Sequence, residues 1–152
     1  MSETTVPAAS AASSGSTVAE SATPRGRRAR IALRTVQVLI ALFYGVASAL
    51  PKLIGNSYAV DAFDKIGWGS AGMYTIGALE LAGGVALLIP VLQSVAAIAL
   101  SGLMVGAFVV QTTVFDGENA ATPLILIVPL AVIAWARRGS NADLLRLVRR
   151  RA

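Results

Sequence analysis

The chain has 152 residues, 55% of them hydrophobic and 14% charged, with a formal net charge of +5 and neither cysteine nor histidine. A soluble domain carries about 25% charged residues, so this balance, with a mean hydropathy of +0.69, points to a chain solvated by lipid. Without cysteine or histidine, disulfides, thiol relays, thiolate metal sites and histidine-ligated haem or zinc are excluded; no metal and no intrinsic cofactor are expected, and redox chemistry would have to belong to a bound molecule or a partner.

Residues 1–24, MSETTVPAASAASSGSTVAESATP, are rich in Ala, Ser and Thr. They offer too little apolar surface to offset chain entropy, which predicts a disordered tail. A cleaved signal peptide is not expected, because the basic cluster beginning at Arg25 follows this stretch and does not open it. Residues 25–138 then read as a membrane domain. After RGRRARIALR comes a first apolar span, 31–50, in which Arg34 can snorkel to the interface; Pro51 marks a kink or the end of regular helix. The polar interruption that follows contains AVDAFDKIGW. Its Val60, Phe63 and Ile66 recur at helical spacing, which predicts a short helix lying in the interface with Trp68 at headgroup level.

A second span covers 71–89 and ends at Pro90 in the tight turn PVLQS. The third covers 94–114. After a polar loop, FDGENAATP, the fourth covers 123–136, is shortened and interrupted by Pro129, and borrows 120–122 to reach across. The expected fold is therefore an all-α, four-span transmembrane bundle. Residues 139–152 place Leu144, Leu147 and Val148 on one face and arginines on the other, as a basic amphipathic helix suited to an anionic membrane surface. Of 13 Lys and Arg, all but Lys52 and Lys65 lie before residue 35 or after residue 136. The positive-inside rule then puts both termini of a multi-pass plasma-membrane protein in the cytoplasm. Membrane lipids are the expected partners; nucleic acid is not.

Glu80 is the one charge in YTIGALELAGGVALLIP. A charge at the bilayer centre costs roughly 2.5–3.5 kcal/mol on insertion scales, so it should face the bundle. Its helix face includes Ile76, Gly77, Gly83, Gly84 and Leu87, and the glycines allow a neighbouring helix to come close. The first span carries a complementary stripe, Ala41, Gly45, Ser48 and Lys52, which makes Lys52 the natural partner of Glu80. Gln111, near the outer end of the third span, joins them as a candidate lining residue, with Tyr44, Tyr74 and Trp68 supplying rings. Plainer readings exist for each: Glu80 as a structural carboxylate, Lys52 as an interfacial anchor, Gln111 as interhelical glue. Gly102 and Gly106, in GLMVG, read as a helix-packing motif, and Met73 and Met104 as core fillers.

ASALPKLIG, FDKIGW and GALELAGGVALLIP, continued by AIALSGLMVGAFVVQ and LAVIAWARR, resemble the DoxX-like small membrane proteins over about residues 31–138. The most specific feature is Lys-Leu at the end of the first span combined with Glu-Leu-x-Gly-Gly in the second. The resemblance implies a four-span bundle linked to membrane redox complexes, including quinone-coupled thiosulfate oxidation and partnership with superoxide dismutase and a sulfurtransferase. It carries the family's lysine onto Lys52 and its glutamate onto Glu80. Two positions depart from the pattern: Ala49 stands where a glycine is common, and PVLQ where the turn is often basic. The expected role is a non-catalytic accessory subunit of a redox assembly, with a quinone or lipid-like ligand and redox partner proteins. The alternatives are a small proton-coupled transporter and a structural membrane protein without a ligand.

The charge count predicts that a cysteine introduced at Gly117 labels with an impermeant thiol reagent from outside, and one at Ser140 only from inside. The reverse pattern would overturn the orientation.

Overall fold

The computed structural model describes residues 24–139 and residue 149. The first 23 residues of the expected tail, and the amphipathic helix expected at the C-terminus, lie outside the described residues. The described secondary structure is all helical. Helix α1 (Pro24–Leu42) runs without a break into a π-helical segment, Phe43–Ala49, and on into α2 (Leu50–Leu53). Then come α3 (Ser57–Ile66), α4 (Gly69–Leu88), α5 (Gln93–Val114) and α6 (Ala121–Ala136). Among the described residues three stretches are long and apolar enough to cross a membrane: Gly26–Leu53, Gly69–Leu88 and Gln93–Val114. Helix α6, with 16 residues, is apolar but shorter than the roughly 20 residues of a full span.

Pro51 does not end the first helix. Proline lacks the N–H and clashes with the carbonyl four residues back in a regular α-helix. Here the preceding turns widen: Leu50 N–H bonds to Gly45 O, five residues back. That register accommodates the ring and lets the helix continue to Leu53, so Lys52 sits on a rigid element. Helix α3 forms where its pattern predicts. The Asn56 side chain accepts from Tyr58 N–H at 3.0 Å as the N-cap, and Gly67 closes the helix at φ +83°, a left-handed conformation open to glycine at little cost. Phe63 is buried against Met73, while Asp61, Asp64 and Lys65 are exposed. After α5 the chain reverses through Asp116 and Gly117, both at positive φ, and Gly117 N–H caps Gln111 O at 2.7 Å.

The main core is shared by α1, the π-helical segment, α4, α5 and α6 around Tyr44, Leu87, Leu100, Met104, Leu130 and Ile133. Met73 and Met104 are both buried fillers. The Gly102–Gly106 pair is different: a Cβ at either position would meet nothing within 4 Å. Helix α5 turns Ala96, Ala97, Leu100 and Met104 inward, which leaves the two glycines on the opposite, exposed face; their motif packs no helix of this chain among the described residues. The close approach is made on α4 instead. A Cβ at Gly84 would stand 3.2 Å from Ala41 O and 3.3 Å from Tyr44 Cβ, and one at Gly77 3.0 Å from Lys52 Cβ.

Gly84→Ala is expected to destabilise the solubilised protein by about 1–3 kcal/mol, the usual range for overpacking, because the obstructing atom is a backbone carbonyl. An unchanged melting temperature would show that α1 and α4 slide apart freely.

Candidate functional site

Gly77 and Gly84 flank Glu80 at one helical turn on either side. By removing side chains there, α4 draws α1 and α2 against the carboxylate. Lys52 Nζ lies 2.7 Å from Glu80 Oε2, with side-chain exposures of 18% and 5%. Helix side chains lean toward their own N-terminus. Because α2 and α4 run in opposite directions, Lys52 and Glu80 lean toward each other.

The ammonium has three donors, and all three have acceptors: Glu80 Oε2, Ser48 O at 2.9 Å and Ser48 Oγ at 3.1 Å. Glu80 is used on one side only; among the described residues no hydrogen bond reaches Oε1. A charge pair held this way escapes most of the penalty of an isolated buried ion, while one acceptor stays open for a guest or a proton.

The other sequence candidates divide. Tyr44 is fully buried just inward of the pair, its Cβ beside Gly84, and its hydroxyl has no partner among the described residues. Gln111 lies two turns outward of Met104 on the core-facing stripe of α5, and its Oε1 is likewise buried without a partner. No hydrogen bond joins Gln111 to Lys52 or Glu80. Neither Tyr74 nor Trp68 makes a hydrogen bond to the ion pair. The Tyr74 hydroxyl faces Gly55. Trp68 is exposed, lies 6.5 Å from the Phe63 ring, and borders a groove of about 240 Å³ lined by Ala71, Gly72, Thr75 and Ile76.

A second buried polar group lies at the other end of the bundle. Gln37 is buried in α1, accepts from Arg137 Nη2 at 3.0 Å and reaches Leu87 O at 3.5 Å. Ser94 Oγ donates to Ala134 O at 3.2 Å, and Gln93 is buried beside it in sequence. Sequence reasoning missed this cluster. A lone glutamine in an apolar run is a signal, but its partner lies 100 residues away.

The family model described as the DoxX-like family matches residues 35–137, which takes in the whole ion-pair site and the Gln37–Arg137 contact. The chain belongs to the DoxX-like family. No curated protein and no solved structure matches it. Membership and the three long apolar helices together make this DoxX-like chain an integral, multi-pass membrane protein. Among the described residues no group of three or more acidic side chains is placed to hold a metal ion.

Lys52→Met and Glu80→Gln are each expected to cost about 3–5 kcal/mol, the range for breaking a buried pair. The double variant should recover part of that loss, since the two residues are in contact. Thermal melts of the four proteins in one detergent measure the coupling; strictly additive losses would show that the pair contributes no interaction of its own.

Proposed function

We propose that this DoxX-like protein is a four-span plasma-membrane subunit with both termini in the cytoplasm, and that it supports a membrane redox assembly without being a stand-alone enzyme. In this reading α6 completes the fourth crossing together with the residues before it, and α3 lies in the outer interface with Trp68 among the headgroups. The arginine-rich ends supply the orientation by the positive-inside rule.

The single observation that carries the reading is the part-buried Lys52–Glu80 pair, in which Glu80 Oε1 accepts no hydrogen bond from the described residues. The residues suit a quinone-type or lipid-like guest. Among the three ammonium contacts, the one to Ser48 Oγ is the longest, so it is the contact a guest carbonyl replaces most easily. Glu80 Oε1 is the atom that accepts a proton. The groove beside Trp68, a turn outward of Glu80 on α4, is lined by Ala71, Gly72 and Ile76 with Thr75, and an acyl or prenyl tail fits such a surface. A bound quinone would supply the electron chemistry; the chain's part is to hold a head group and a proton next to each other. Partner proteins would deliver the electrons.

A proton-coupled transporter is the second reading. It is favoured by the polar groups inward of Glu80, first the unpartnered Tyr44 hydroxyl and then Gln37, which space polar stations along the bundle interior.

Native mass spectrometry from mild detergent, with quinone analysis of the lipid extract, tests the first reading. Native protein should retain quinone, and Lys52→Met should lose most of it. Absence of quinone from the native protein, with proton flux in proteoliposomes that Glu80→Gln abolishes, would replace the first reading with the second.

A further inference from the structure

At the end of the bundle away from the ion pair, the described charges have one sign. Arg27, Arg28, Arg30 and Arg34 are all exposed along α1. The carboxylates of the described residues lie elsewhere: Asp61 and Asp64 on α3, Asp116 and Glu118 in the loop after α5, and Glu80 in its pair. One contact brings the end of α6 to the same place, and a second marks its level. Arg137 donates to Gln37, one turn from Arg34. The Arg138 guanidinium lies 5.3 Å from the centroid of Trp135, which is 69% exposed.

An exposed tryptophan on an apolar helix, with an arginine against its ring, marks the level where hydrocarbon gives way to headgroups. The Gln37–Arg137 bond ties α1 to that level. Arg34 then stands about one turn beyond it, with Arg30 and Arg27 about 6 and 10 Å further out. The length of the helix requires such a projection. The 28 residues Gly26–Leu53 extend about 40 Å, roughly 10 Å more than the hydrocarbon core is thick. The continuous helix therefore holds its arginines in a column that rises from the headgroup layer into the water above it.

We propose that this arginine column is a binding surface for the phosphates of anionic phospholipids in the leaflet at that end. Guanidinium groups match phosphate oxygens bidentately. Arg34 lies at the depth of the lipid phosphates, and Arg30 and Arg27 stand above it within about a Debye length of the surface, so lipid headgroups meet the base of the column directly. The surface does not depend on what Lys52 and Glu80 hold.

Full-length native protein and the R27Q/R30Q/R34Q variant are compared by native mass spectrometry from mild detergent containing equal amounts of phosphatidylglycerol and phosphatidylcholine. The native protein should carry an excess of phosphatidylglycerol, and the variant should lose at least about fivefold of that preference, the effect of a single basic side chain at an anionic surface. The D61N/D64N variant, changed at the opposite end, should match the native protein, and equal melting temperatures show that all three are folded. An unchanged preference in the arginine variant overturns the proposal, as does equal binding of the two lipids by the native protein. Capture of soluble polyglutamate without phosphatidylglycerol preference also overturns it, and assigns the column to an acidic protein partner.

Discussion

A part-buried lysine and a buried glutamate paired between helices in a lipid solvent set the terms for the rest of this structure. An isolated buried charge in hydrocarbon is expensive, so each must be delivered to the other with its remaining hydrogen-bond sites accounted for. Lys52 achieves this fully, through Glu80 and both oxygens of Ser48. To do so, the first helix must continue beyond Pro51, which the π-helical turns from Phe43 to Ala49 permit. Helix α4 must also present glycine on either side of its carboxylate, as it does at Gly77 and Gly84. The proline, the widened helix and the glycines are parts of one solution to one electrostatic problem.

The arrangement is asymmetric in a way that bears on function. The lysine is saturated and the glutamate is not, and just inward the buried Tyr44 hydroxyl has no partner among the described residues. A buried polar group without a partner costs about 1–3 kcal/mol, which applies to the Tyr44 hydroxyl and Gln111 Oε1 among the described residues. At the other end, Gln37, Arg137 and Ser94 tie the helix ends through neutral or singly charged hydrogen bonds, an arrangement that holds the bundle and leaves the arginines of α1 facing outward.

Between helices in a bilayer there is little hydrophobic drive, since lipid tails are as apolar as leucine; close packing and polar contacts supply the association. This accounts for the glycines of α4, which serve contact, and for the fate of Gly102 and Gly106, whose spacing is just as suitable. Nothing in the local spacing separates the two cases. The orientation of α5 is decided by Ala96, Ala97, Leu100 and Met104 filling the core, and that choice turns the other pair of glycines outward.

Composition, the apolar runs and the grouping of charge at the two ends were enough to determine a helical membrane protein and the boundaries of its later helices to within a few residues, whereas the first helix begins at Pro24, seven residues before the expected start of the span. Lipid imposes such a strong filter on every residue that these properties are local. The Lys52–Glu80 pairing was also legible, because a single charge in each of two small-residue stripes leaves little choice of partner. Tertiary structure alone decided the rest. It carried the helix through Pro51, a matter of backbone register. It completed the contacts of Lys52 with Ser48 beside Glu80, with no hydrogen bond from Trp68 or Tyr74. It joined Gln37 to Arg137 across 100 residues. These outcomes depend on how whole helices rotate and approach one another, and no stretch of sequence read by itself contains that geometry.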